Sequence, residues 1–161
     1  MRFVFFLVCL LICTLAQSQN FILPRGEYMD TTVTLSPKCD SLNLFYYYQV
    51  DTKYPESSMA VLIGTKGFLV KKGKKYNGSG YVTLRFIVDC EGVIHKVKVL
   101  QTDENYQPYR FDKGFVSDLN AYIHTLDKWE KNISINEYKN VNYIAYITFK
   151  IRNGEVINVI Y

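Results

Sequence analysis

GYVTLRFIVDCEGVIHKVKV, running from Gly80 to Val99, reads as a β-hairpin with one apolar face. Val82, Leu84, Phe86 and Val88 alternate with Tyr81, Thr83, Arg85 and Ile87, the period of two that marks a half-buried strand. Asp89-Cys90-Glu91-Gly92 supplies the turn. Apolar residues return at Ile94, Val97 and Val99. The step of three between Ile94 and Val97 slips the alternation by one residue, as a β-bulge requires.

Downstream, Phe111, Phe115, Leu119, Tyr122, Ile123, Leu126 and Trp129 recur every three or four residues and predict a long amphipathic helix. Residues 130–141 read as polar loop. Tyr143, Ala145, Ile147, Phe149 and Ile151 then alternate with Ile144, Tyr146, Thr148, Lys150 and Arg152. Asn153-Gly154 is a two-residue hairpin turn, and Val156 to Tyr161 is the returning strand. Upstream, Tyr54-Pro55-Glu56-Ser57-Ser58 reads as a helix start, with Met59, Ala60, Leu62 and Ile63 facing inward and Gly64 and Gly67 ending the helix. Phe68-Leu69-Val70 is a short strand or a tucked loop, and Lys71 to Gly80 an exposed connection. Thr31 to Leu35 is a short strand stopped by Pro37; Leu42 to Val50 is either helix or strand. The order helix, strand, strand, helix, strand, strand predicts an α+β fold, a small antiparallel sheet of two hairpins with helices packed on one face.

The N-terminus points to a compartment. Met1-Arg2 precedes an apolar run from Phe3 to Ala16, and Gln17-Ser18-Gln19-Asn20 turns polar. That run falls short of the ~20 residues of a bilayer-spanning helix and suits a signal peptide cut after Ser18; the alternative is an uncleaved anchor. The expected organisation is a signal peptide over residues 1–18, a lead-in over 19–53 and a folded domain over 54–161, with no integral membrane span after cleavage and a periplasmic or secreted location. A formal charge of +4 on 161 residues is too mild to imply nucleic acid. The one dense basic patch, Lys71-Lys72-Gly73-Lys74-Lys75, is a solvated loop or a contact for an acidic lipid or partner. Only Cys39 and Cys90 survive cleavage. An oxidising compartment invites a bridge between them, worth roughly 4 kcal/mol at best; the alternative is two unpaired thiols.

The same residues resemble the C-terminal domain of TonB-type energy-transducing proteins. Tyr54-Pro55 looks like that family's Tyr-Pro pair ahead of its first helix. Gly80-x-Val82-x-Leu84-x-Phe86-x-Val88 resembles its first long strand, and Gly92-x-Ile94-x-x-Val97-x-Val99 its second, bulge included. The helix ending near Trp129 and the strand from Tyr143 to Lys150 are similar to the family's second helix and third strand. The family's anchor helix and long Pro-rich spacer have no counterpart here, and its usual Pro and Gly after the Trp are replaced by Glu130-Lys131-Asn132. The resemblance implies a binding module that grips an extended peptide of an outer-membrane receptor, with a link to transport across that membrane. The peptide would add a strand to a sheet edge. By that analogy the edge is Tyr143 to Arg152, with Tyr54 and Pro55 nearby and Tyr146, Thr148 and Lys150 as outward contacts.

No catalytic constellation is legible. His95 reads as a strand residue on the polar face and His124 as a helix residue, neither near a second ligand or nucleophile. Gly-x-Ser-x-Gly, a phosphate loop and a metal-spaced His pair are all missing, so no cofactor or metal is expected. The competing class is a structural or assembly protein of the cell envelope, a homodimer joined through an apolar edge strand such as Val156 to Tyr161.

Overall fold

Period-two alternation builds the sheet and period 3.6 the layer above it. The computed structural model describes residues 27–29, 35–40 and 43–161. The segment expected to be a signal peptide lies outside the described residues, as does the strand expected at Thr31–Leu35 except for Leu35 itself. The elements are β1 (Glu27–Tyr28), β2 (Leu44–Tyr46), α1 (Ser58–Lys72), β3 (Gly80–Val88), β4 (Ile94–Thr102), α2 (Lys113–Ile123), β5 (Asn142–Arg152) and β6 (Glu155–Ile160). They form the expected α+β arrangement, with a mostly antiparallel sheet in the order β1-β4-β3-β5-β2 and β6 also paired to β5.

One face of the sheet is apolar throughout. Val82, Leu84, Phe86 and Val88 of β3 are buried, as are Tyr143, Ala145, Ile147, Phe149 and Ile151 of β5. The bulge falls where the sequence step puts it. Ile94 pairs with Val88 and His95 with Ile87, the register then shifts before Lys98 meets Arg85, and Lys96 sits at φ 51°. The extra residue keeps both Ile94 and Val97 on the core side. Between β5 and β6, Asn153 and Gly154 take φ of 50° and 79°, the left-handed pair that a two-residue hairpin needs.

The helices depart from the sequence reading at their ends. Helix α1 does not stop at Gly64 or Gly67; it runs on through Phe68-Leu69-Val70 to Lys72, where Gly73 closes it at φ 64°. Its start is as expected, with the Ser57 hydroxyl accepting from the Ala60 N–H at 3.2 Å. Gly64 serves packing instead. A Cβ there would lie 2.5 Å from the Tyr122 hydroxyl, which donates to the Val61 carbonyl at 2.9 Å and so ties α2 to α1. Helix α2 is shorter than its apolar stripe. Phe115, Leu119 and Ile123 lie on the helix, whereas Leu126 and Trp129 are buried from irregular chain beyond it. Buried residues in irregular chain mimicked helical spacing.

Cys39 and Cys90 are bridged, with Cα atoms 5.5 Å apart and a sequence separation of 51. The bridge fastens the lead-in to the β3–β4 turn. Asn142 reinforces that junction: its Oδ1 accepts from the Cys90 N–H at 3.2 Å and its Nδ2 donates to the Asp40 carbonyl at 2.6 Å.

The two mid-helix glycines of α1 predict opposite outcomes. Around Gly67 nothing lies within 4 Å of a new Cβ. Gly67→Ala is expected to raise stability by about 1 kcal/mol, and Gly64→Ala to lower it by about 1 kcal/mol because the Tyr122 bond is lost. Urea midpoints of the two variants moving in the same direction would contradict this account.

Candidate binding edge

Strand β5 is paired with β3 along its whole length, from Val88↔Tyr143 to Gly80↔Ile151. Its outer edge is divided. At one end β2 runs parallel to it, with Leu44, Phe45 and Tyr46 opposite Asn142, Tyr143 and Ile144. The Tyr47 N–H extends that ladder to the Ile144 carbonyl at 3.0 Å. At the other end β6 covers Thr148 to Arg152. Between them Ala145, Tyr146 and Ile147 have no strand partner on that side among the described residues. The edge expected to be open from Tyr143 to Arg152 is therefore narrowed to a gap of three residues.

Of the Leu42–Val50 stretch, the described residues 43–50 form a three-residue strand followed by a turn, in which the Gln49 N–H donates to the Tyr46 carbonyl at 2.8 Å. Phe45 turns inward, its ring 5.7 Å from that of Tyr138, while Leu44 and Tyr46 stay exposed. Tyr46 is held on the open sheet face by Arg85, whose guanidinium lies 5.6 Å from the ring.

The gap is floored by aromatic side chains. Tyr47, Lys53, Tyr54, Trp129, Ala145, Tyr146 and Tyr161 line a slot of about 10 Å³, no more than one water needs. The Tyr54 ring lies 4.8 Å from Trp129, and Trp129 meets Phe86 of β3 edge-on at 5.3 Å, which joins the slot to the core. Tyr47 packs edge-on against Tyr146 at 5.5 Å. Trp129 is buried, yet its indole Nε1 has no hydrogen-bond partner among the described residues. Burial pushes the Tyr54 phenol up to about 12, so it remains a neutral donor across the ordinary pH range.

Of the residues singled out from sequence, Tyr54 and Tyr146 meet at this slot. Pro55 is exposed beside Tyr54. Thr148 and Lys150 lie where β6 covers the edge, and their side chains are engaged on the open sheet face. Thr148 Oγ1 is 2.9 Å from Thr83 Oγ1, and Lys150 Nζ is 5.8 Å from the centre of the Tyr81 ring. Tyr47, Trp129 and Tyr161 were not singled out as site residues. Their meeting depends on contacts between segments far apart in sequence, for which the sequence carries no local signal.

His95 is not on a solvated face. It is buried, and its Nε2 lies 2.8 Å from Asp89 Oδ2. Asp89 Oδ1 accepts from the Glu91 and Val93 N–H groups at 2.9 Å each. The pair closes the β3–β4 turn, and the neighbouring Cys90 sulfur is committed to the bridge. Among the described residues no group of three His, Cys, Asp or Glu side chains is placed to hold a metal, and no helix is long and apolar enough to cross a membrane. Comparison with family models, with curated proteins and with solved structures returns no match.

The lysine run is partly neutralised. Lys74 Nζ lies 3.0 Å and Lys72 Nζ 3.6 Å from the Asp118 carboxylate, and the Tyr76 hydroxyl donates to it at 2.5 Å. Tyr76 first, then the two lysines, hold the Asp118 carboxyl below its ordinary 3.8. A depressed carboxyl stabilises the fold above its unfolded value and loses that contribution as pH falls through the folded value. The stability lost in Asp118→Asn is therefore expected to be full above about pH 4 and to shrink below it. Urea titrations across that range check this, and a loss constant down to pH 2 would refute the assignment.

Proposed function

We propose that this domain is a non-catalytic binding module that takes an extended segment of a partner protein as an added strand on β5. One observation carries the reading: the outer edge of β5 already accepts a strand, β2, delivered by a segment outside the helix–strand–strand–helix–strand unit. Strand addition supplies affinity through backbone groups and selectivity through alternate side chains. Further support comes from the likeness to the TonB C-terminal domain noted above. The Tyr-Pro pair and the Trp that carried it are in contact through Tyr54 and Trp129. The partner then belongs to the outer membrane or envelope, and the module works in the periplasm or outside the cell. The Cys39–Cys90 bridge suits such an oxidising compartment.

A second reading, self-association into an envelope assembly, is favoured by exposed apolar side chains on the outermost strands, Leu44 on β2 and Ile160 on β6.

Magnitudes set the scale of the test. A three-residue gap offers two or three backbone hydrogen bonds at about 1 kcal/mol net each. Affinity is then closer to millimolar than to nanomolar. Residues 19–161, isotope-labelled, are to be titrated with N-terminal peptides of outer-membrane receptors up to millimolar concentration. The expected shifts centre on Leu44–Tyr47, Ala145–Ile147 and Tyr54. No shift at that concentration, together with a dimer by light scattering, would replace the binding reading with assembly.

A further inference from the structure

We propose that β2 is a resident strand that holds this docking edge closed, and that the partner segment replacing it runs parallel to β5 with a large apolar side chain where Phe45 now sits. The inference rests on the strand-addition reading and adds to it the regulation of the site and the character of its ligand.

Three observations combine. First, the hold of β2 on the sheet is slight. It spans three residues and forms the only parallel pair among the described strands, and of its side chains only Phe45 turns inward. Second, β2 is kept in place from outside. On its N-terminal side the Cys39–Cys90 bridge and the Asp40 N–H, which donates to the Asn140 carbonyl at 3.0 Å, fix the chain. On its C-terminal side the Thr52 N–H donates to the Tyr47 carbonyl at 3.0 Å, and the Thr52 hydroxyl to Glu130 at 2.6 Å. A short segment between two anchors stays bound because its local concentration is high, not because its contacts are strong. Third, β2 uses only part of the edge. It turns away at Tyr47, so among the described residues Ala145–Ile147 have no strand partner on that side, their other side being held by β3, and the indole N–H of Trp129 has no hydrogen-bond partner. A longer parallel strand gains those groups in addition to everything β2 holds.

The ligand's character follows from the seat that β2 occupies. Its flanking positions, Leu44 and Tyr46, are exposed and constrain the side chain less, whereas the central one faces Tyr143 and Tyr138. The partner is thus an extended peptide of about six residues with Phe, Leu or a similar group near its start.

The chain contains one tryptophan, and it lies at the slot, so its emission reports occupancy. The probe is a synthetic peptide copying Asn43–Tyr46 and extended by Val-Thr-Val. Wild type, Phe45→Ser and the double variant Cys39→Ser/Cys90→Ser are titrated with it. Both variants are expected to bind about tenfold more tightly than wild type, and a peptide with Ser in place of Phe about tenfold more weakly to all three. Equal affinity for wild type and variants, with shifts along β5, would overturn the resident-strand proposal while leaving strand addition standing. No binding to any of them would remove both. A peptide-insensitive dimer of Phe45→Ser would assign the edge to a second copy of the chain and overturn the foreign partner. Native-state hydrogen exchange on wild type needs no variant: the Tyr47 amide is expected to exchange by local opening, far faster than amides of the β3–β5 ladder. Exchange of Tyr47 only with global unfolding would overturn the proposal on its own.

Discussion

Everything in this fold depends on the pairing of β5 with β3. Nine successive residue pairs, from Val88↔Tyr143 to Gly80↔Ile151, run without a break, and both strands turn every second side chain into the same core. A slip of one residue would move Phe86, Ile147 and Phe149 to the open face, so burial fixes the register as firmly as the hydrogen bonds do. With that ladder set, β4 follows through its turn and bulge, and β6 folds back through Asn153-Gly154. The outer side of β5 is shared between β2 and β6, and the candidate site lies in the interval between them. The site is a remainder of the core's geometry rather than an addition to it.

The aromatic column beside that edge shows how closely the two are joined. Phe86 is a core residue, Trp129 touches it, Tyr54 touches Trp129, and Tyr161 lies 6.3 Å from Tyr54. The slot is therefore in continuous ring contact with the core of the sheet. Tyr161 donates its hydroxyl to the Glu56 carbonyl and so braces the approach to α1 against the end of β6.

Much of this was legible in the sequence, for reasons that vary by element. The β3–β4 hairpin could be read residue by residue because its alternation is strict and its one irregularity is a countable step. Helix α1 was cut short because a glycine at Gly64 looks the same whether it ends a helix or makes room for a tyrosine from another. Helix α2 was drawn too long because Leu126 and Trp129 are buried at helical spacing while belonging to irregular chain. Strand β2 was undecidable: three residues in a run of aromatics carry no period, and their partner lies about a hundred residues away in sequence. The candidate site divides along the same line. Tyr54 and Tyr146 could be nominated from the resemblance, whereas the bracketing of β5 by two strands arises only when distant segments meet. His95 looked solvated because nothing local announces that Asp89 reaches across the turn to it.

The bridge between Cys39 and Cys90 has a topological consequence. It closes a ring of chain that contains β2, α1, β3 and the exposed lysines from Lys71 to Lys75. Those lysines are the natural target of a trypsin-like protease, and a single cut among them opens the ring without freeing either piece. The upstream piece remains covalently attached through Cys39, and the cut itself falls outside the sheet. Surface damage at this connection thus converts one chain into two linked chains of unchanged composition, visible as separate species only once the disulfide is reduced.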